Sequence, residues 1–112
     1  MQCLGIIIHH SACPSINGKG YDYMVLTNGV IVSLPEPADS QYVHLCIEGD
    51  FSTKQERTTE QREQVFMAHK LLLRLLSIFQ ITEERVFSHC STCPGGYFPW
   101  SQLVISSKDG YH

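Results

Sequence analysis

The sequence predicts an α/β fold: a single mixed β-sheet of about five short strands packed against one main helix. Three observations predict it. The run "CLGIIIHH" (residues 3–10) has the continuous apolar character of a strand buried on both faces, and "YVHLCIEG" (42–49) is a second β-rich run. Between them "YDYMVLT" and "VIVSL" flank the dipeptide Asn28-Gly29, a strong local hairpin signal. After Thr58 the apolar period changes from strand-like to helical.

Each element follows from its neighbours. The first strand ends in His9 and His10, and "SACPSINGKG" after it has the Ser, Pro, Gly and Asn content of a loop. The hairpin's "NG" is expected to form a type I′ turn, with positive φ at both central residues. "PEPADSQ" interrupts the chain, because its two prolines do not fit a paired central strand. In the helix, Val65, Met67 or Ala68, Leu72, Leu76 and Phe79 recur on one face, beside a second row of Phe66, Leu73 and Leu75. Thr58 with Gln61 three residues on has the spacing of a capping box; Thr59 and Thr53 are the alternative caps. Thr82 is a further cap candidate ahead of a short strand "RVFSH", and "FPWSQLV" suits a last short helix with Pro99 in its first turn.

The 112 residues suit a single domain, 1–112, with no repeat, low-complexity tract or interdomain linker. An apolar fraction of 43% against 17% charged is that of a folded globular chain. The net charge of −3, with no Lys or Arg run, leaves no basic face for nucleic acid or an anionic membrane, so neither is an expected partner. "MQCLGIIIHH" lacks the charged leader and cleavage site of a signal peptide, so the product is expected to be cytoplasmic as synthesised. Cysteines at 3, 13, 46, 90 and 93, an odd number scattered along the chain, fit a reduced compartment better than a disulfide framework.

Chemistry-bearing residues gather in four places: His9 and His10, Tyr21 and Tyr23, His44, and "HCSTC" at 89–93. Strand ends converge in an α/β domain, so histidines and cysteines far apart in sequence can meet at one cleft. Zinc suits a mixed imidazole and thiolate set, and a catalytic site keeps three protein ligands and one open position. The same stretch admits two other readings. Cys90 and Cys93 form a CxxC, the spacing of a redox dithiol, although Pro94 and the glycines after it oppose a helix starting at Cys90. A strand His or buried Cys can also be a packing residue and no more.

"GIIIHHSAC", "GKGYDYMVLTNGVIV", "CIEGDF" and "ERVFSHCSTCPGGYFPW" follow in order, and the set resembles the zinc-dependent N-acetylmuramoyl-L-alanine amidase and peptidoglycan recognition protein (PGRP) superfamily over nearly the whole chain. The resemblance implies an amidase/PGRP-like fold and zinc bound by His9, His89 and Cys93. It implies that Tyr21 assists the reactive water and that Ser91, with Thr92 beside it, faces the developing oxyanion. Peptidoglycan or a muropeptide is then the partner, and the bond cut is the amide between N-acetylmuramic acid and L-alanine. The chain resembles a shortened member, such as a phage or mobile element would carry; the route to the wall, by lysis or a dedicated secretion system, is not encoded in these motifs. The short loop "SACPSINGKG", the contracted "PEPADSQ", His44 on the fourth strand and Asp22 after Tyr21 depart from the pattern. They fit two readings: a minimal amidase with a shallow groove, favoured because His9, His89, Cys93 and Tyr21 are all present, and the alternative of a non-catalytic recognition module with a retained or vestigial metal site. On either reading His10 is structural, His44 lines the pocket and Cys90 is a bystander; oligomeric state is not encoded in these motifs.

Overall fold

The structure, a computed structural model, describes residues 3–13, 21–34, 41–54, 58–90 and 93–104. Ser91, Thr92 and most of the two expected loops, "SACPSINGKG" and "PEPADSQ", lie outside these residues. The described elements run β1 (Gly5–His10), β2 (Tyr23–Val25), β3 (Ile31–Ser33), β4 (Tyr42–Ile47), α1 (Thr59–Phe79), a 3₁₀ turn (Glu83–Arg85), β5 (Val86–Ser88) and α2 (Trp100–Leu103). The strands form one mixed sheet in the order β3-β2-β4-β1-β5, with the β2-β3 pair antiparallel and the others parallel. The expected sheet of five strands with one principal helix is what the chain forms.

Register decides which residues share a face. β1 pairs with β4 so that Ile6 lies beside Val43, Ile8 beside Leu45 and His10 beside Ile47. Because side chains alternate along a strand, these residues point one way and Ile7, His9, His44 and Cys46 the other. The first face packs with Ala68, Leu72 and Leu75 of α1, and with Phe98 and Leu103 beyond it, into the main core. Ile6, Ile8, Leu45 and Ile47 are fully buried there. Each such side chain stabilises the fold by roughly 1.5–3 kcal/mol relative to an exposed one. The second face carries the histidines.

The helix starts as its cap residues dictate. Thr58 Oγ1 accepts from the Gln61 N–H at 3.1 Å, and Gln61 Oε1 accepts from the Thr58 N–H at 2.9 Å, so the capping box is complete. It ends at Gln80, the one non-glycine residue of positive φ among those described. The buried stripe is Val65, Ala68, Leu72 and Leu75, together with Gln64. Of the second apolar row, Leu75 is buried, whereas Phe66 and Leu73 are 56% and 52% exposed. A helix laid on one sheet face has one apolar contact line, and the residues a third of a turn away face solvent. Gln64 is buried because its Nε2 donates to the carbonyls of Val25 (3.0 Å) and Glu48 (2.7 Å), which ties α1 to the ends of β2 and β4. No helix among the described residues is long and apolar enough to cross a membrane.

The hairpin forms with a different turn from the one expected. Gly29 has φ +87°, its N–H donates to the Leu26 carbonyl (2.8 Å), and the Leu26 N–H donates to the Val30 carbonyl (2.8 Å). Asn28 keeps a negative φ and uses its side chain instead, with Oδ1 accepting from the Val30 N–H at 3.0 Å. This is the longer turn with one left-handed glycine at its end rather than the two-residue type I′ form.

Candidate metal centre at the ends of β1 and β5

His9 closes the site face of β1, and the His89 N–H donates to the Ile8 carbonyl (3.2 Å), extending the pairing of neighbouring β5 by one residue. The two imidazoles stack obliquely with centroids 4.5 Å apart. A tight turn follows each strand. After β1, the Cys13 N–H donates to the His10 carbonyl at 3.1 Å. After β5, the Cys93 N–H donates to the Cys90 carbonyl at 3.2 Å, and the Cys90 N–H returns a bond to Cys93 O at 3.1 Å. Each turn swings a thiol back across the strand ends: Cys13 Sγ lies 3.6 Å from Nδ1 of His89, and Cys93 Sγ lies 3.9 Å from Nδ1 of His9. One ligand atom from each of His9, Cys13, His89 and Cys93 lies within 4.8 Å of the other three. The structure thus brings together His9, His89 and Cys93, and adds Cys13.

His44 has a more definite place than a pocket wall. Its Nδ1 lies 2.7 Å from Nε2 of His9, which leaves Nδ1 of His9 facing the thiols. For Nδ1 to offer a lone pair, Nε2 must carry the proton and donate to His44, the usual arrangement that orients a ligating histidine. His44 is itself positioned by Asp22: its N–H donates to Asp22 Oδ2 (2.7 Å), while the Asp22 N–H donates to the His44 carbonyl (2.8 Å). Tyr21, the residue before Asp22, is buried at the entry to β2. Ser91 lies outside the described residues. His10 points to the opposite face, where its Nδ1 accepts from the Phe51 N–H (3.1 Å), in keeping with a structural role. Cys90 is exposed, no disulfide joins the five cysteines, and Cys90 and Cys93 are paired with each other through their backbones.

Burial sets the protonation. Desolvation, and then the neighbouring His44, His89 and His10, push the His9 pKa down to about 3, so its imidazole is neutral at physiological pH. Desolvation raises the Cys93 thiol to about 12; the backbone N–H of His10 works against this and the neighbouring Cys13 with it. Without metal the sulfur therefore keeps its proton, and metal binding must release it. The unfolded chain takes up the His9 proton near the ordinary 6.5 and the folded chain only near 3. Between those values the unfolded state binds more protons, so this contribution to stability is complete above 6.5 and is lost as pH falls toward 3. Chelator-treated protein is expected to be less stable at pH 5 than at pH 7.5, by on the order of 1–2 kcal/mol. The difference should shrink in His9→Asn; equal denaturation midpoints at the two pH values in the unsubstituted protein would contradict it.

The donor set fits zinc. Tetrahedral zinc with imidazole and thiolate ligands holds its donors about 3.3–3.8 Å apart; of the two sulfur–nitrogen contacts, 3.6 Å lies inside that range and 3.9 Å just beyond it, and the four donors lie within 4.8 Å of one another. His9, Cys13 and Cys93 are buried while His89 is exposed, so the cluster is reached from the His89 side.

The sequence matches no protein-family model and no curated protein. Solved structures do match. The N-acetylmuramoyl-L-alanine amidase LysC from Clostridium intestinale URNW aligns with 100% of this chain and 88% of its own at 18% identity and a TM-score of 0.66. AmiD from E. coli, solved with the substrate anhydro-N-acetylmuramic acid-L-Ala-D-gamma-Glu-L-Lys, aligns with 98% of this chain and 58% of its own at 17% identity and 0.70. PGRP-Hd from Alvinella pompejana aligns with 89% of this chain and 80% of its own at 14% identity and 0.54. At these identities the likeness establishes the fold.

Proposed function

We propose that this chain, which has the fold shared by N-acetylmuramoyl-L-alanine amidases and a peptidoglycan recognition protein, is a zinc-dependent amide hydrolase. Its substrate is the bond between N-acetylmuramic acid and the L-alanine of peptidoglycan stem peptides. The observation that supports this most is the convergence of His9, His89 and Cys93 at the open ends of adjacent strands. The muropeptide held by AmiD, on a fold that overlaps nearly all of this chain, supports the substrate class.

Zinc held by His9, His89 and Cys93 would supply Lewis-acid chemistry, activating water and polarising the scissile carbonyl. The chain's own groups do the rest. His44 keeps the proton on Nε2 of His9 and so keeps Nδ1 available. Tyr21 is the proposed partner of the attacking water, and Ser91, two positions before Cys93, the proposed donor to the developing oxyanion. Hydrolysis adds hydroxyl to the lactyl carbonyl and returns a proton to the departing L-alanine amine.

Purified protein is expected to hold one zinc per chain and to release a free L-alanine amine from muramoyl peptides. Tyr21→Phe should slow that release by about 10²-fold with metal content unchanged, the usual scale for a lost proton-transfer or oxyanion group. Tight muropeptide binding with no turnover would assign the chain instead to the non-catalytic recognition reading. That second reading draws on one specific observation, the extra thiol of Cys13 beside the three ligands.

A further inference from the structure

The two turns at the strand ends are copies of one device. His9 and Cys13 are separated by three residues, and so are His89 and Cys93. In both, the histidine lies within one residue of the end of its strand, the next residue's carbonyl accepts from the cysteine N–H (3.1 Å from Cys13, 3.2 Å from Cys93), and the thiol folds back over the strand end. β1 and β5 are adjacent and parallel, which sets the two hooks side by side. The contacts then cross, each sulfur lying against the other hook's imidazole at 3.6 and 3.9 Å.

We propose that Cys13 is a fourth metal ligand, so that the two crossed hooks form a closed Cys2His2 zinc centre in which Cys13 occupies the position hydrolysis requires for water. This rests on the zinc reading above and deepens it. Four protein ligands of this kind fill the tetrahedral shell of zinc, as in structural sites, whereas hydrolytic sites keep the fourth position open. Cys13 is placed for this by geometry: it is buried, and its sulfur is 3.6 Å from a ring nitrogen of His89. On binding, both thiols give up their protons to solvent as the two metal–sulfur bonds form. With the fourth position filled, hydrolysis at this centre would require Cys13 to leave the metal.

Cobalt(II) loading tests this without relying on activity. In the full chain, cobalt is expected to show the thiolate-to-metal charge-transfer absorption of two sulfurs. That absorption should fall by about half in Cys13→Ala and in the closer isostere Cys13→Ser, since one of two thiolates is lost, and stay at full strength in Cys90→Ser. Added azide should shift the cobalt d–d bands of Cys13→Ala, where a position has opened, and leave the unsubstituted protein unchanged. Equal charge-transfer intensity with and without Cys13, or an azide shift in the unsubstituted protein, would overturn the fourth ligand while leaving the three-ligand reading intact. Failure of the unsubstituted protein to bind cobalt or zinc at all would overturn both, so the two failures are told apart.

Discussion

Cys93→Ala is expected to abolish stoichiometric zinc and, with it, muropeptide hydrolysis. Cys93 is 1% exposed, and its sulfur lies against His9 Nδ1 in the middle of the donor cluster. Removing it deletes a negatively charged ligand and leaves a buried gap that water fills poorly. Losing a partner outside the coordination shell typically costs about 10–100-fold in metal affinity, so loss of a ligand should exceed about 100-fold. His9→Ala should do the same, whereas His44→Ala, which removes only the support behind His9, should stay within that lower range. Metal analysis after dialysis against a competing chelator reads all three. Zinc retained at one equivalent with unchanged affinity in Cys93→Ala would refute Cys93 as a ligand.

The largest loss of stability is expected from Gly95→Ala. Gly95 has φ +106°, a conformation that costs a residue with a side chain on the order of 1–3 kcal/mol. Space is the second obstacle. A Cβ there would lie 2.4 Å from the backbone carbon and oxygen of Phe51 and 2.7 Å from the Ser52 nitrogen. Those atoms cannot rotate away as a side chain could, because the Tyr97 N–H donates to the Phe51 carbonyl (2.9 Å) and the Phe51 N–H donates to His10 (3.1 Å). Strain and displacement together should remove at least about 3 kcal/mol. Because Phe51 also packs edge-on against Phe98, itself edge-on to Trp100, the displacement would spread along the segment that follows Cys93. Chemical denaturation of the metal-free protein, with a zinc titration beside it, should show lower stability and weaker metal retention together. Unchanged stability would mean that this approach of the two backbones does not constrain the turn.

The legible parts of the fold were those whose cause is local. The capping box at Thr58 and Gln61 is a contact between residues three apart, and it forms as their spacing requires. The β1 run, the hairpin at Asn28-Gly29 and the stripe through Val65, Ala68 and Leu72 likewise depend on neighbours in sequence. The type of hairpin turn was not legible, because "NG" suits both a two-residue loop and a left-handed glycine closing a longer one; the pairing of Leu26 with Val30 decides. Nor was the exposure of Phe66 and Leu73, since periodicity defines an apolar arc and the sheet alone shows which line of it makes contact.

The site divides in the same way. His9, His89 and Cys93 could be singled out from the motifs that carry them. Cys13 was missed although it repeats the spacing of His89 to Cys93, a signal that was available in the sequence. The role of His44 could not have been read, because it depends on β4 pairing with β1 in the register that sets Ile7 beside His44 and His9 beside Cys46. By itself the sequence determined the elements, their caps and turns, and a donor chemistry suited to zinc. Only the tertiary structure decided that β5 lies next to β1, and therefore that two hooks some eighty residues apart cross into one cluster of four donors. Local propensity acts between near neighbours along the chain, whereas ligand geometry is created by strand order and register, which exist only once the sheet has formed.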